Sequence, residues 1–475
     1  MESQQPNEVD LTPRPDSAPD LELDPDLDPD LDPDLDPDLD LDRELAELPR
    51  DDAPEAGPSA GSSAEPSADA SADSSAPPPP GAPKPRRSLL TPWRPVATLT
   101  PAQRHRRRFV GVSTLAVVLA FGGVVGHSVY GAMAAPGTDS TSARLAEWGR
   151  DHGLNSVIDW LEVHTYTPPR AGGAPSQQDL DRMAAAEGAA KRARMAAAVP
   201  LHSPIEPLAS PALPGEGFFA PLVTVKGQPV IQTALMRPDT TYTSFPVGIA
   251  WMKQSALTFQ LHPGFEEPGG DWGVPSTIPP GERTGLVASY NGGFKVSNGD
   301  SHGGFYLNGR TVGTLTDGAA SEVFYRNGSV KVGTWGEDVS MTPDVVGVRQ
   351  CLVPLVAHGK VTEAVDNGGS ETWGLTDQGM PLVPRSGIGI DSQGNLIYVG
   401  GRVLSVHTLA TVLQRAGAVT AMMLDINLSW PSFISYDSST DPSDPTPSNL
   451  VNFVRGPGRY YEQSSRDFVA VYARH

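Results

Sequence analysis

At 475 residues the chain has room for two or three domains, and its formal net charge of −21 resides in residues 1–82, which hold 24 acidic and 3 basic side chains. The remainder carries 32 of each sign, which excludes the basic footprint that nucleic acid requires, so no nucleic-acid partner is expected. Cys351 is the only cysteine, so no internal disulfide can form. With no His or Cys beside it in a nucleophile pattern, it is read as a small buried hydrophobe.

In chain order, residues 1–82 come first, with the four-residue repeat of "LDPDLDPDLDPDLDPDLDLD" followed by a Pro/Ala/Ser-rich run. Dense like charge and recurrent proline leave too little apolar burial to offset chain entropy, so a disordered tail is expected. A regular acidic repeat is also a form that binds a basic partner or calcium, but the solvated tail is the preferred reading. Residues 83–108 form a basic segment, with eight Lys and Arg and no acid between Lys84 and Arg108. Residues 109–133 then carry no Asp, Glu, Lys or Arg, and about 20 such residues cross a bilayer as helix. Arginines on its N-terminal side place the N-terminus in the cytoplasm and the C-terminal domain outside, giving a single-pass protein of the cytoplasmic membrane. The alternative is a signal peptide cleaved near "AMAAPG"; more than a hundred preceding residues make a poor leader, so an uncleaved anchor is expected.

Residues 134–217 are read as a helical stalk and linker. Leu145, Trp148, Leu154, Val157, Ile158 and Leu161 recur at roughly helical spacing, "SQQDLDRMAAAEGAAKRARMAAA" is a second helix former, and a proline-rich stretch closes the region. Residues 218–475 change to strand and turn. Asn308-Gly309 and Asn327-Gly328 each separate two alternating runs, the signature of a hairpin, and "GIGIDSQGNLIYVGG" supplies a third. One helix interrupts them, with Ser405 as N-cap and Gly417 as stop. The expected fold class is α+β, a strand-rich domain with hairpins and a few packed helices.

No P-loop, dinucleotide fingerprint, H-E-x-x-H, G-x-S-x-G or paired C-x-x-C is present; no metal site is expected and no cofactor is assigned. Polar residues at strand ends and glycine-rich turns remain. Asn291, Gly292 and Gly293 follow a strand, where glycines allow close approach of backbone to a ligand or to another chain segment, although a plain turn is the commoner meaning. Arg385 precedes a strand and has the forked donor set that clamps phosphate or carboxylate, or else forms a surface ion pair. Asp391 is read as a hairpin-turn residue. Asp425 ends an apolar run and is a catalytic acid, a ligand anchor or only the polar end of a strand.

The order of these segments resembles the phosphodiester glycosidase family, whose best-known member removes N-acetylglucosamine from a sugar phosphodiester. The family's four motifs have counterparts in Asn291-Gly292-Gly293-Phe294, in Arg385 through Asp391, in Gly401-Arg402 with Ser405, Thr408 and Leu409, and in Leu424-Asp425 with Ser429. The likeness covers about residues 285–475, with a start near 218 as its outer limit. It departs from the pattern where Ile426, Asn427 and Leu428 replace three glycines and where Gly400 replaces a frequent aspartate. Strand alternation would send Ile426 and Leu428 to one face and pair Asn427 with Asp425 on the other.

The resemblance implies hydrolysis of a glycosidic bond whose leaving group is a phosphate. It makes Asp425 and Arg385 the catalytic pair, Asp425 as base, nucleophile or stabiliser of oxocarbenium charge and Arg385 as phosphate clamp, with Arg402 a second cation. Asn291, Gly293, Asn427, Ser429 and Arg402 become the substrate-binding set. Asp366 and Glu371 are candidates for a second carboxylate, Trp373 for a sugar-stacking surface or a lid over the core, and His302 for an acid or base. The expected function is a membrane-anchored exported hydrolase acting on a phosphate-linked sugar of an envelope glycopolymer. The rival is a non-catalytic glycopolymer-binding module on the same fold; a third reading makes the acidic tail the working part and the domain its anchor. A pocket shared by Asp425, Asn427, Arg385 and Asn291 favours the enzyme, and Asp425 buried against a structural arginine favours the module.

Overall fold

The computed structural model describes residues 100–134, 141–154, 157–158, 160–161, 164, 167–195, 201–297, 299–374, 382–427 and 429–474. The expected acidic tail at 1–82 and the basic segment as far as residue 99 lie outside the described residues.

The first helices with fully described bounds are α1 Pro101–Ala134, α2 Thr141–Asp151 and α3 Gln177–Met195. Strands follow: β1 Ala220–Val225, β2 Gln228–Met236, β3 Val247–Met252, β4 Leu257–His262, β5 Leu286–Asn291, β6 Phe305–Leu307, β7 Arg310–Val312, β8 Ala320–Tyr325, β9 Val330–Thr334, β10 Val345–Gln350, β11 Val356–Ala357 and β12 Lys360–Val361. Two single-turn helices, α4 Ala364–Asn367 and α5 Ser370–Trp373, precede β13 Val383–Asp391, β14 Leu396–Leu404, α6 Val406–Arg415 and β15 Ala418–Met423. The last strands are β16 Phe433–Asp437, β17 Thr446–Asn449 and β18 Phe468–Ala473.

The strands form an eight-stranded sheet in the order β1-β2-β3-β14-β13-β15-β11-β12 and two five-stranded sheets, β7-β6-β10-β8-β9 and β17-β16-β5-β18-β4. Every expected hairpin forms. Asn308 and Gly309 both take positive φ between β6 and β7, as a primed turn requires. Asn327 Oδ1 accepts from Ser329 N–H at 2.9 Å in the β8–β9 turn. Asp391 caps the β13–β14 turn, accepting from Gln393 and Asn395 N–H at 2.9 and 2.8 Å and from Trp251 Nε1 at 3.0 Å.

Helix α6 begins as its sequence dictates. Ser405 Oγ accepts from Thr408 N–H and Thr408 Oγ1 accepts from Ser405 N–H, a reciprocal capping box. Its buried face, Leu409, Ala410, Val412 and Leu413, joins the main apolar core. That core extends across position 218, because Met183 on α3 and Ile205 share it with Phe219, Val230 and Ile249. Glu216 and Arg237, 2.6 Å apart and buried, tie the proline-rich stretch to the end of β2.

Helix α1 has the length and apolar composition of a membrane span.

Candidate active site

Asn291 is the node from which the site is built. It ends β5 and is buried, and Oδ1 accepts from Ser432 N–H at 2.9 Å and from the Tyr398 hydroxyl at 3.3 Å. Both hydrogens of Nδ2 are engaged, one on Gly292 O at 2.8 Å and one on Ser386 Oγ at 3.0 Å. Asn291 therefore stitches β5 to β13 and β14. Ser386 carries the connection onward: its N–H donates to Asp425 O at 2.9 Å, its carbonyl accepts from Leu424 N–H at 2.9 Å, and its Oγ accepts from Asp425 N–H at 3.3 Å.

Asp425 itself is 4% exposed. Oδ1 accepts from Asn427 N–H at 2.8 Å, and Oδ2 lies 3.7 Å from Arg466 Nη2. Strand β15 ends at Met423, so the expected alternation does not extend through 425–427. Asn427 instead continues a series of side-chain turns, its Oδ1 accepting from Ser429 N–H at 3.0 Å. The short polar side chains of Asp425 and Asn427 compete with the ladder for backbone N–H groups, which is why the strand stops. Ile426 packs partly against the core, and Leu428 lies outside the described residues.

Arg385 is 2% exposed. Its Nε donates to Leu404 O at 2.9 Å, and Nη1 meets Met423 Sδ at 3.6 Å. Among the described residues no carboxylate pairs with it, and burial lowers its pKa to about 10. It is next to Ser386 in an extended strand, so the two side chains take opposite faces of the sheet. Asn291, Ser386 and Asp425 are thus joined through one network, with the Arg385 side chain on the face opposite Ser386 and against Met423, two residues before Asp425. Arg402 is exposed on β14, and Asn427 and Ser429 are half-buried.

The remaining candidates separate clearly. Trp373 is buried and donates to Ala364 O at 2.8 Å, which makes it a lid over the core rather than a sugar platform. Asp366 is exposed and meets His407 Nδ1 at 2.8 Å; Glu371 and His302 are exposed. Cys351 is buried, as expected of a small hydrophobe, with its thiol pushed up to about 12 by burial and its Sγ on Leu424 O at 3.4 Å.

The motif glycines are needed for close packing. A Cβ at Gly292 would lie 1.9 Å from Asp467 Oδ2, and one at Gly293 would lie 3.1 Å from Cys351 Cβ and 3.3 Å from Arg349 Cζ. Both glycines press on a fully buried ion pair, Arg349 Nε to Asp467 Oδ2 at 2.8 Å. Nearby Glu322 accepts from Tyr290 at 2.6 Å; burial raises its pKa to about 7, with the Asp467 charge adding to the rise.

Three further cations surround the loop after Asp425. Arg455, Arg459 and Arg466 place their guanidinium carbons 5.0, 5.4 and 5.3 Å from the Trp430 ring centroid. Arg459 Nη1 holds that loop through Ser429 O at 3.2 Å and Trp430 O at 3.1 Å. Sequence reasoning missed them because no spacing rule links residues 455–466 to Trp430; the only signal was the repeated arginine in "VRGPGRYYEQSSRD".

Residues 284–425 match the family described as Phosphodiester glycosidase, and this segment is the domain toward which the motif series points. It contains Asn291, Arg385, Arg402 and Asp425 and stops short of the arginines around Trp430. Among solved structures, one that is similar is the zebrafish N-acetylglucosamine-1-phosphodiester alpha-N-acetylglucosaminidase catalytic domain, auto-inhibited by its pro-peptide. It shares 15% identity at a TM-score of 0.36, over 54% of this chain and 88% of that one. Another is a hypothetical protein from Synechocystis, at 13% identity and a TM-score of 0.31, over 54% of this chain and 64% of that one. No curated protein matches the chain.

Proposed function

We propose that this protein is a membrane-anchored hydrolase that removes a sugar from a phosphodiester in an envelope glycopolymer. In this reading α1 crosses the cytoplasmic membrane, the N-terminus is cytoplasmic and residues 218–475 work outside. The observation that carries the chemistry is Arg385, a buried guanidinium with no carboxylate partner among the described residues. An isolated buried charge is costly. A substrate phosphate supplies the missing counter-charge through charge-assisted hydrogen bonds, and Arg385 then stabilises the negative charge that grows on the leaving phosphate. Such a leaving group needs little protonation. Asp425 acts as base, nucleophile or stabiliser of the oxocarbenium ion. Asn427, Ser429 and Arg402 contact the substrate, while Asn291 and Gly293 hold the backbone on which Asp425 and Ser386 are set.

One observation favours a second reading, a glycopolymer-binding module without turnover: Asp425 is buried against the buried Arg466, the arrangement expected of the module, and both its oxygens face partners within the protein, Asn427 N–H and Arg466. The two readings part in one experiment. Purified full-length protein in detergent is assayed for sugar release from sugar-1-phosphodiesters beside Asp425→Ala. The enzyme reading expects release by the wild type and a loss of about 10²-fold or more in the variant. Equal release by both proteins removes Asp425 from the mechanism. Saturable binding of the glycopolymer with no release by either establishes the module.

A further inference from the structure

Immediately after α1 lies a helical segment that no part of the proposed chemistry uses. Arg144 Nη1 donates to Met133 O at 3.1 Å, Trp148 Nε1 donates to Ser128 Oγ at 3.0 Å, and the His152 ring meets the same hydroxyl at 3.2 Å. Residue numbers rise on α2 as they fall on α1, so α2 runs back antiparallel along the last turns of α1. Beyond Asp151 the chain turns at Gly153, whose φ is 77°. Ile158 then folds over Gly149, where a Cβ would lie 3.0 Å from Ile158 Cδ1.

This folding leaves an apolar set in the open. Leu145, Leu154, Val157, Trp160 and Leu161 are 41%, 42%, 52%, 54% and 45% exposed. A water-filled stalk would bury such residues against one another. Their depth relative to a bilayer follows from α1. The uncharged run starts at Phe109, after Arg106–Arg108, and about 20 helical residues cross the hydrocarbon. Counting from Phe109, the crossing ends near Ser128. Residues 128–134 then stand in the headgroup layer, and α2, bonded to Ser128 and Met133, lies beside them at the same level. Tyr130, Trp148 and Trp160 are the residue types that concentrate in that layer.

We propose that the described residues between 141 and 161 are an interfacial element, lying in the headgroup layer with Leu145, Leu154, Val157, Trp160 and Leu161 in lipid. The proposal rests on α1 as a membrane span, and its partner is the lipid surface itself. The segment read from sequence as the beginning of a stalk is then a membrane-bound clamp. It also sets the reach of the domain. Gly172 N–H donates to Thr241 O at 2.6 Å, and Thr243 Oγ1 donates to Gly173 O at 2.7 Å, so the chain is fixed to the strand-rich part 11 residues beyond Leu161. At about 3.5 Å per extended residue, that attachment stays within about 40 Å of the lipid headgroups. The domain is thereby held to membrane-proximal polymer.

The buried Cys351 is the only native cysteine, so introduced surface cysteines can be labelled selectively. Full-length protein bearing Val157→Cys, Leu161→Cys, Val117→Cys or Leu222→Cys is labelled with an environment-sensitive fluorophore. Each variant is reconstituted into phosphatidylcholine–phosphatidylglycerol vesicles. Quenching by brominated lipid and by aqueous iodide is then compared. Positions 157 and 161 are expected to favour lipid quenching at least fivefold over position 222, an exposed site on β1. Lipid quenching at 117 with positions 157 and 161 behaving like 222 overturns the interfacial element and leaves the span intact. Aqueous behaviour at 117 as well removes the span, and the proposal falls with it, while the hydrolase assay stands independently.

Discussion

Arg385 and Asp425 illustrate two ways of burying a charge. Asp425 is neutralised locally, by a guanidinium at 3.7 Å and a backbone donor at 2.8 Å. Among the described residues, Arg385 has only a carbonyl and a thioether. Replacing a lone buried cation by an apolar residue of similar length removes an unfavourable desolvation, so Arg385→Met is expected to leave the fold as stable as the wild type or more stable, by about 1–4 kcal/mol. Anion affinity responds in the opposite direction, with binding of a sugar 1-phosphate weakened at least tenfold, because the counter-charge for phosphate is lost. Arg385→Lys retains the charge but not the planar fork, and falls between the two. Urea unfolding and titration calorimetry on the same preparations check both halves. A variant that is destabilised and binds as the wild type does would make Arg385 a structural residue.

At the scale of elements, the glycine pair after β5 determines whether β5 and β18 can close on each other. A methyl group at Gly292 would occupy the space of Asp467 Oδ2, so Gly292→Ala must displace one partner of the Arg349–Asp467 pair. Breaking a buried ion pair is expected to cost about 3–5 kcal/mol. The measurement is thermal unfolding, and an unchanged melting temperature would mean that the loop moves aside at no cost. Local elements were legible in the sequence for physical reasons. The capping residues of α6 lie three apart, and each Asn-Gly pair determines its own hairpin. Residues that lie far apart in sequence were not. Arg349 and Asp467 are separated by 118 positions, and Tyr290 and Glu322 by 32, and nothing local in either partner specifies the other. The four motifs marked where a site would be, since Asn291, Ser386 and Asp425 do meet. They gave no account of Arg459 or Arg466, whose contacts depend on the chain returning after β17. Nor did composition show that Met183 and Ile205, in a helix former and a proline-rich run, would enter the core beneath the sheets.

At the scale of the whole molecule, two buried groups give stability opposite dependences on pH. His262 donates Nδ1–H to Pro275 O at 2.9 Å and stacks on Phe468 at 4.7 Å, while its buried Nε2 has no partner among the described residues. Burial lowers its pKa from 6.5 to about 4. The unfolded chain takes up that proton first, so the stability from neutral His262 is complete above pH 6.5 and is lost as pH falls toward 4. Glu322 behaves in the reverse sense. It lies between Tyr290, Arg349 and Asp467, its Oε2 has no partner among the described residues, and its pKa rises from 4.5 to about 7. The folded chain holds this proton more tightly, so its contribution is complete below pH 4.5 and disappears as pH rises through 7. Each shift corresponds to about 3 kcal/mol, and between pH 4.5 and 6.5 the two slopes nearly cancel. Glu322→Gln keeps the hydrogen bond from Tyr290 while removing the titration, which leaves His262 unopposed. Urea unfolding of the full-length variant in detergent is therefore expected to show stability rising by about 3 kcal/mol from pH 4 to 6.5, where the wild type changes little. Parallel profiles for the two proteins would show that Glu322 does not titrate in this range.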